Sequence, residues 1–150
     1  MAIDTGGTWW VGDSPSDIDE YLRAYLEGSV PVHKFRQSRC GCTSVRFRLE
    51  ADDLEGTAKR SCIDCGADHF ICDSEEYWDE ANPKRWICVC GSDTANLGVA
   101  YSIYDEPDAD RRPVIRWLSI GTRCHVCGIL GCFAGWKVAY EPSHHLLELA

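Results

Sequence analysis

Eight of the ten cysteines fall into one pattern, written twice. Cys40-Gly-Cys42 is followed by Cys62-Ile-Asp-Cys65-Gly66, and Cys88-Val-Cys90-Gly91 is followed by Cys124-His-Val-Cys127-Gly128. Each half is a C-x-C pair, a length of chain, and a C-x-x-C-G pair. Two short turns that gather four thiolates suit a tetrahedral dication such as Zn²⁺. The repeat points to sequential grouping, with Cys40, Cys42, Cys62 and Cys65 on one Zn²⁺ and Cys88, Cys90, Cys124 and Cys127 on a second. An interleaved arrangement of the same pairs is the alternative. Four thiolates fill a tetrahedron and leave no vertex for water or substrate, so both ions would be structural. His125 is then a spacer inside its C-x-x-C.

The elements that must position these cysteines are short and mostly β. Val45 to Leu49 alternates apolar and basic residues, as a half-buried strand does. Residues 31–39 read as a strand leading into the first C-x-C, and 58–61 and 69–72 as its partners. Leu97, Val99, Tyr101 and Ile103 alternate before the second C-x-x-C, with further strands at 114–120 and 132–140. Before the cysteines, Ser14, Pro15 and Asp17 form a helix start, and Ile18, Tyr21, Leu22, Tyr25 and Leu26 make one apolar stripe. This helix, about residues 15–27, is expected to pack on the first cysteine unit. A second acidic helix is expected in 73–86, with Asp73 and Glu76 as a capping box and Tyr77 and Trp78 as anchors.

The organisation expected is therefore an N-terminal segment (1–30), a first unit (31–72), a helical linker (73–86), a second unit (87–140) and a tail or short helix (141–150). Units of this size bury too little apolar surface to fold unaided and need a metal or disulfides. The polar start and the lack of a long apolar run point to a soluble, cytoplasmic protein without a membrane partner. In a reducing compartment paired cysteines are metal ligands more often than disulfides. The fold class is α+β and mostly β.

The knuckles and their flanking strands resemble zinc ribbons, over residues 38–72 and 86–140. That resemblance implies two consecutive three-stranded antiparallel sheets, each with a four-cysteine site at one end. The whole chain is similar to uncharacterised bacterial zinc-ribbon proteins, a likeness that implies no activity. Thr43 stands where Gly91 stands in the second unit, which makes the first knuckle the least regular.

The chain carries a net charge of −9, and residues 1–30 hold six acids and one base. Such a field favours cationic partners and repels nucleic acid at long range. The leading functional expectation is a protein–protein adaptor, with Trp9 and Trp10 available to a partner. Two alternatives come from other classes. Lys34, Arg36, Arg39, Arg46 and Arg48, interleaved with Phe35 and Phe47, could track a nucleic-acid backbone. Cys72 and Cys132, outside the repeat, could serve as redox or nucleophilic thiols, against the simpler expectation of buried apolar side chains.

Overall fold

A computed structural model describes residues 3–138, 140 and 142–150; the expected start of the terminal segment at Glu141 lies outside them. The fold is mostly antiparallel β-structure. Its strands in chain order are β1 (Ile3–Asp4), β2 (Val11–Gly12), β3 (Lys34–Gln37), β4 (Phe47–Asp52), β5 (Thr57–Cys62), β6 (Asp68–Phe70), β7 (Lys84–Arg85), β8 (Ala95–Ile103), β9 (Ile115–Cys124) and β10 (Leu130–Lys137). The single α-helix among the described residues, α1, spans Asp17–Tyr25, and two 3₁₀ helices span Ser74–Glu80 and His144–Glu148. Among the described residues no helix is long and apolar enough to cross a membrane.

The strands β10-β9-β8-β4-β5-β6 form one path of an eight-stranded sheet, with β3 added to β8 and β7 to β4. Two separate three-stranded sheets were the expectation, and the pairing of β3 corrects it. Lys34 to Gln37 lie against Tyr101 to Gly98 of β8, not against β4. The first half's leading strand is thus contributed to the second half's sheet. The two halves meet at one register pair, Phe47 with Ala95.

Helix α1 also lies elsewhere than expected. Its buried side chains Ile18 and Leu22 cluster with Ala100 and Leu130, on the second half's strands rather than the first's. The residues beneath explain the choice. A Cβ on Gly121 would come within 2.5 Å of Ile18 Cγ2 and 2.7 Å of Leu22 Cδ1. Together with Ala100, this glycine leaves the seat that both side chains fill. Full burial of Ile18 and Leu22 stabilises the contact by about 1.5–3 kcal/mol each. The apolar stripe splits at this seat, because Tyr25 turns outward and Tyr21 is half-buried. The helix begins at Asp17 with Ser16, not Ser14, at its N-cap and no side-chain cap, so the expected start is two residues early; the Asp17 carboxylate accepts from the N–H groups of Asp13 (2.8 Å) and Ser14 (3.1 Å) in the turn before it.

The linker is a 3₁₀ helix, and its capping box does not form: Asp73 makes no side-chain cap. Its carboxylate instead accepts from Trp136 Nε1 (3.3 Å) and Tyr140 Oη (2.8 Å). The anchor is Ser74, fully buried, whose Oγ accepts from Ala58 N–H and whose carbonyl accepts from Thr57 Oγ1. Trp78 is secondary, edge-on to Phe70 with Lys59 over its ring, and Tyr77 is exposed. The last residues close over both halves. Tyr101 Oη donates to the Leu146 carbonyl (2.7 Å), Cys72 N–H donates to the Leu149 carbonyl (2.7 Å), and Arg60 donates to the Ala150 carbonyl (3.1 Å).

Gly121→Ala tests the seating of α1. Ile18 and Leu22 have no room to retreat, so the added methyl is expected to cost about 1–3 kcal/mol of stability, measured by denaturant unfolding. An unchanged midpoint would mean that the helix does not rest on β9.

Candidate metal centres

Strand register brings the cysteines together. Strand β4 begins five residues after Cys42 and pairs Phe47 with Cys62; β8 begins five residues after Cys90 and pairs Ala95 with Cys124. In each half the C-x-C turn enters a hairpin at the end where the C-x-x-C turn leaves it. The turns match bond for bond. Cys40 N–H donates to the Ser44 carbonyl (2.9 Å) and Cys88 N–H to the Ser92 carbonyl (2.8 Å). Gly66 N–H donates to the Cys62 carbonyl (3.0 Å) and Gly128 N–H to the Cys124 carbonyl (2.9 Å). Phe47 and Ala95 occupy equivalent places in the repeat, and they are the pair through which β4 and β8 meet antiparallel. The two centres are therefore related by a local two-fold through that pair.

The sulfurs group sequentially. Cys40, Cys42, Cys62 and Cys65 form one set and Cys88, Cys90, Cys124 and Cys127 the other, each with all four Sγ atoms within 4.8 Å of one another. Individual separations are 3.5 Å for Cys40–Cys65 and Cys88–Cys127, and 3.6 Å for Cys42–Cys62 and Cys90–Cys124. A disulfide would need about 2.05 Å. Sulfurs about 2.3 Å from a tetrahedral Zn²⁺ lie about 3.8 Å apart, so either set could hold a metal ion.

Electrostatics within the sets agree with that fit. Burial works against a thiolate at Cys62, but the N–H groups of Cys65 and Asp64 and the sulfurs of Cys42 and Cys65 outweigh it and bring the thiol to about 6. At Cys124 burial is likewise outweighed by the N–H groups of Cys127 and Val126 and by the sulfurs of Cys90 and Cys127, to about 7. The neighbours go the other way. Cys65 has the Ala67 N–H in its favour, yet the sulfurs of Cys40, Cys62 and Cys42 push it to about 12. Burial, with the other sulfurs of its set, takes Cys88 to about 12.

The turns carry the backbone cost. Gly66, Gly91 and Gly128 all have positive φ, and so does Thr43, at 78°. Gly128 is further confined, since a Cβ there would meet the Gly12 carbonyl oxygen at 2.7 Å. That contact arises because β2 docks on the second knuckle, with Gly12 N–H donating to the Gly128 carbonyl (2.9 Å) and Arg123 Nε to the Gly12 carbonyl (2.7 Å).

The remaining residues singled out in the sequence are dispersed. Arg46 is engaged with Asp64, and Arg48 Nε lies 3.1 Å from Asp93, which Arg85 also contacts. Lys34 and Arg36 sit on β3, exposed, beside the second half. Arg39 is exposed next to Cys40. The basic residues therefore form no single stripe, and two of them are neutralised by ion pairs. His125 is exposed, with Nδ1 3.4 Å from Asn96 Nδ2. Cys72 is buried, with Sγ 3.2 Å from Tyr101 Oη, and burial pushes its thiol to about 12. Burial raises Cys132 to about 11. Neither thiol is ionised near neutral pH, which is the opposite of what a nucleophile needs. Sequence reasoning missed Arg60, buried with its guanidinium 4.6 Å from the centre of the Phe47 ring. Its place two residues before Cys62 was the available signal. Trp10 packs edge-on to Tyr21, and Trp9 is exposed.

Thr43→Gly is expected to raise stability by about 1 kcal/mol, since a β-branched residue is held in the left-handed region that glycine enters freely. Gly91→Thr should lose a similar amount; thermal unfolding of both variants measures it, and equal midpoints would remove the assigned strain. No family model, curated protein or solved structure matches the chain, so its function has to be argued from these two sulfur sets and the surfaces around them.

Proposed function

We propose that the protein is a zinc-binding scaffold, with two structural four-cysteine sites built on ribbon-like hairpins, whose role is to present its surface to another protein. The observation that carries this reading is the convergence of eight sulfurs into two closed sets, each within 4.8 Å. Zn²⁺ suits a donor set of four thiolates with no geometric demand beyond a tetrahedron. Cys40, Cys42, Cys62 and Cys65 would hold one ion, and Cys88, Cys90, Cys124 and Cys127 the other. When bound, each ion neutralises the repulsion among its sulfurs and joins the two turns of a hairpin. The chain's own N–H groups orient the sulfurs, and the filled spheres exclude water and substrate.

Other functions have less to stand on. Arg46 and Arg48 are engaged with carboxylates, and the chain is strongly acidic, which disfavours the nucleic-acid reading. Cys72 and Cys132 are held protonated by burial, which disfavours thiol chemistry. Reduced thiolate sites fit a cytoplasmic location.

Metal removal tests the reading. Zinc bound by structural sites contributes on the order of 10–16 kcal/mol, much of it folding free energy. A strong chelator is expected to release two ions per chain with loss of tertiary circular dichroism. Cys65→Ser or Cys127→Ser should each release one ion and lower the unfolding midpoint. A serine variant that keeps both ions and its stability would overturn the assignment.

A further inference from the structure

The two-fold repeat makes each centre a control for the other. Around the first centre the exposed positions beside the cysteines are Arg39, Gly41 and Asp64. The equivalent positions around the second are Ile87, Val89 and Val126, which are 59%, 71% and 73% exposed. Since polar residues or glycine stand at these three positions in the first half, whose turns place their one apolar residue at half-buried Ile63, the fold does not require apolar side chains there. Their exposure costs solubility without supporting the centre. Trp9, 52% exposed, closes a cleft of about 140 Å³ against Ile87 and Val89. The same tryptophan borders a second groove of about 300 Å³, floored by Trp10 and Tyr21 and ended by Tyr25, which is 59% exposed. Trp9 and Leu130 line both, so the two grooves adjoin and together run from α1 to the second centre.

Charge selects what covers them. Glu20 stands one helical turn before Ala24, which lines the groove, and Glu27, just past the end of α1, follows three residues after it with its N–H on the Ala24 carbonyl (3.3 Å). Among the described residues neither has an ion-pair partner, whereas Arg23, the lone base of residues 1–30, is engaged with Asp19 and the Val32 carbonyl. At the other end, a dication ringed by four thiolates is itself a net anion. A second copy of the chain, with net charge −9, would bring like charge to this face. We infer that the track of Trp9, Trp10, Tyr21, Tyr25, Ile87 and Val89 docks a cationic segment of another protein through apolar anchors. The inference rests on the scaffold reading and gives it a surface and a partner chemistry.

The test uses the full metal-loaded chain and a labelled short peptide alternating lysine with tryptophan and leucine, beside the same peptide with glutamate for lysine. The lysine peptide is expected to bind saturably, and the glutamate peptide not to bind. Trp9→Ala, and the pair Ile87→Arg with Val89→Gly, should each weaken binding about tenfold, the scale of a lost hot spot. The paired substitutions copy residues the first centre already accommodates, and metal content with the unfolding midpoint confirms that the fold is kept. Glu20→Gln with Glu27→Gln should weaken binding and flatten its salt dependence. Equal binding of the glutamate peptide, or binding untouched by these variants, overturns the inference. So does preference for a single-stranded oligonucleotide, or self-association that Trp9→Ala dissolves. A displayed random-peptide library on the same protein separates the two claims. Binders indifferent to the Trp9 and Val89 variants would sink this face and leave the scaffold reading standing; no binders at all would sink both.

Discussion

Mutual repulsion of sulfurs held 3.5–3.6 Å apart is the constraint on which the rest of this structure depends. At that spacing four thiolates cannot coexist without a cation at their centre, and four neutral thiols gain little from the proximity. The backbone nonetheless spends effort on bringing them there. Positive-φ turns at Thr43, Gly66, Gly91 and Gly128, and N–H groups aimed at Cys62 and Cys124, bring the sulfurs together. Each hairpin then has its cysteine end fixed by the knuckle turns and the other free to vary, which is where the two halves differ.

The halves share a knuckle plan and diverge in what they carry. Strands β4 and β5 run six residues each, while β8 and β9 run nine and ten and are covered on both faces. The longer hairpin takes α1, β3 and the N-terminal β-ladder; the shorter one takes the 3₁₀ linker. A single register pair joins β4 to β8, and side-chain bonds add to it: Asn96 Nδ2 donates to the Val45 carbonyl (2.8 Å) and Gly135 N–H to the Asp53 carboxylate (2.9 Å). Leu146 and Leu149 reach Tyr101 in one half and Cys72 in the other, so the chain's end ties both hairpins together.

What was legible in the sequence was local. Cysteine spacing specified the turns, and the repeat of pair types specified sequential grouping, because a hairpin brings its own two ends together at little entropic cost. The helix stripe was equally local, though its start lies two residues later than Ser14 and Pro15 suggested. Long-range choices were not readable from periodicity. Nothing in Lys34 to Gln37 distinguishes β4 from β8 as a partner, and the decision rests on Gly98, where a Cβ would lie 2.2 Å from Phe35. Gly98, Ala100 and Gly121 were the available signals that something closely packed crosses β8 and β9. Asp73 misled for a different reason: a carboxylate before a short helix resembles a cap until Trp136 and Tyr140, more than sixty residues on, claim it.

X-ray absorption at the metal edge of the purified protein tests the central claim most directly. Two zinc ions per chain, each with a first shell of four sulfurs at about 2.3 Å, is the result this account predicts. A first shell containing nitrogen or oxygen would open the coordination sphere and return chemistry to the metal. A fully folded protein with no bound metal would contradict the account outright.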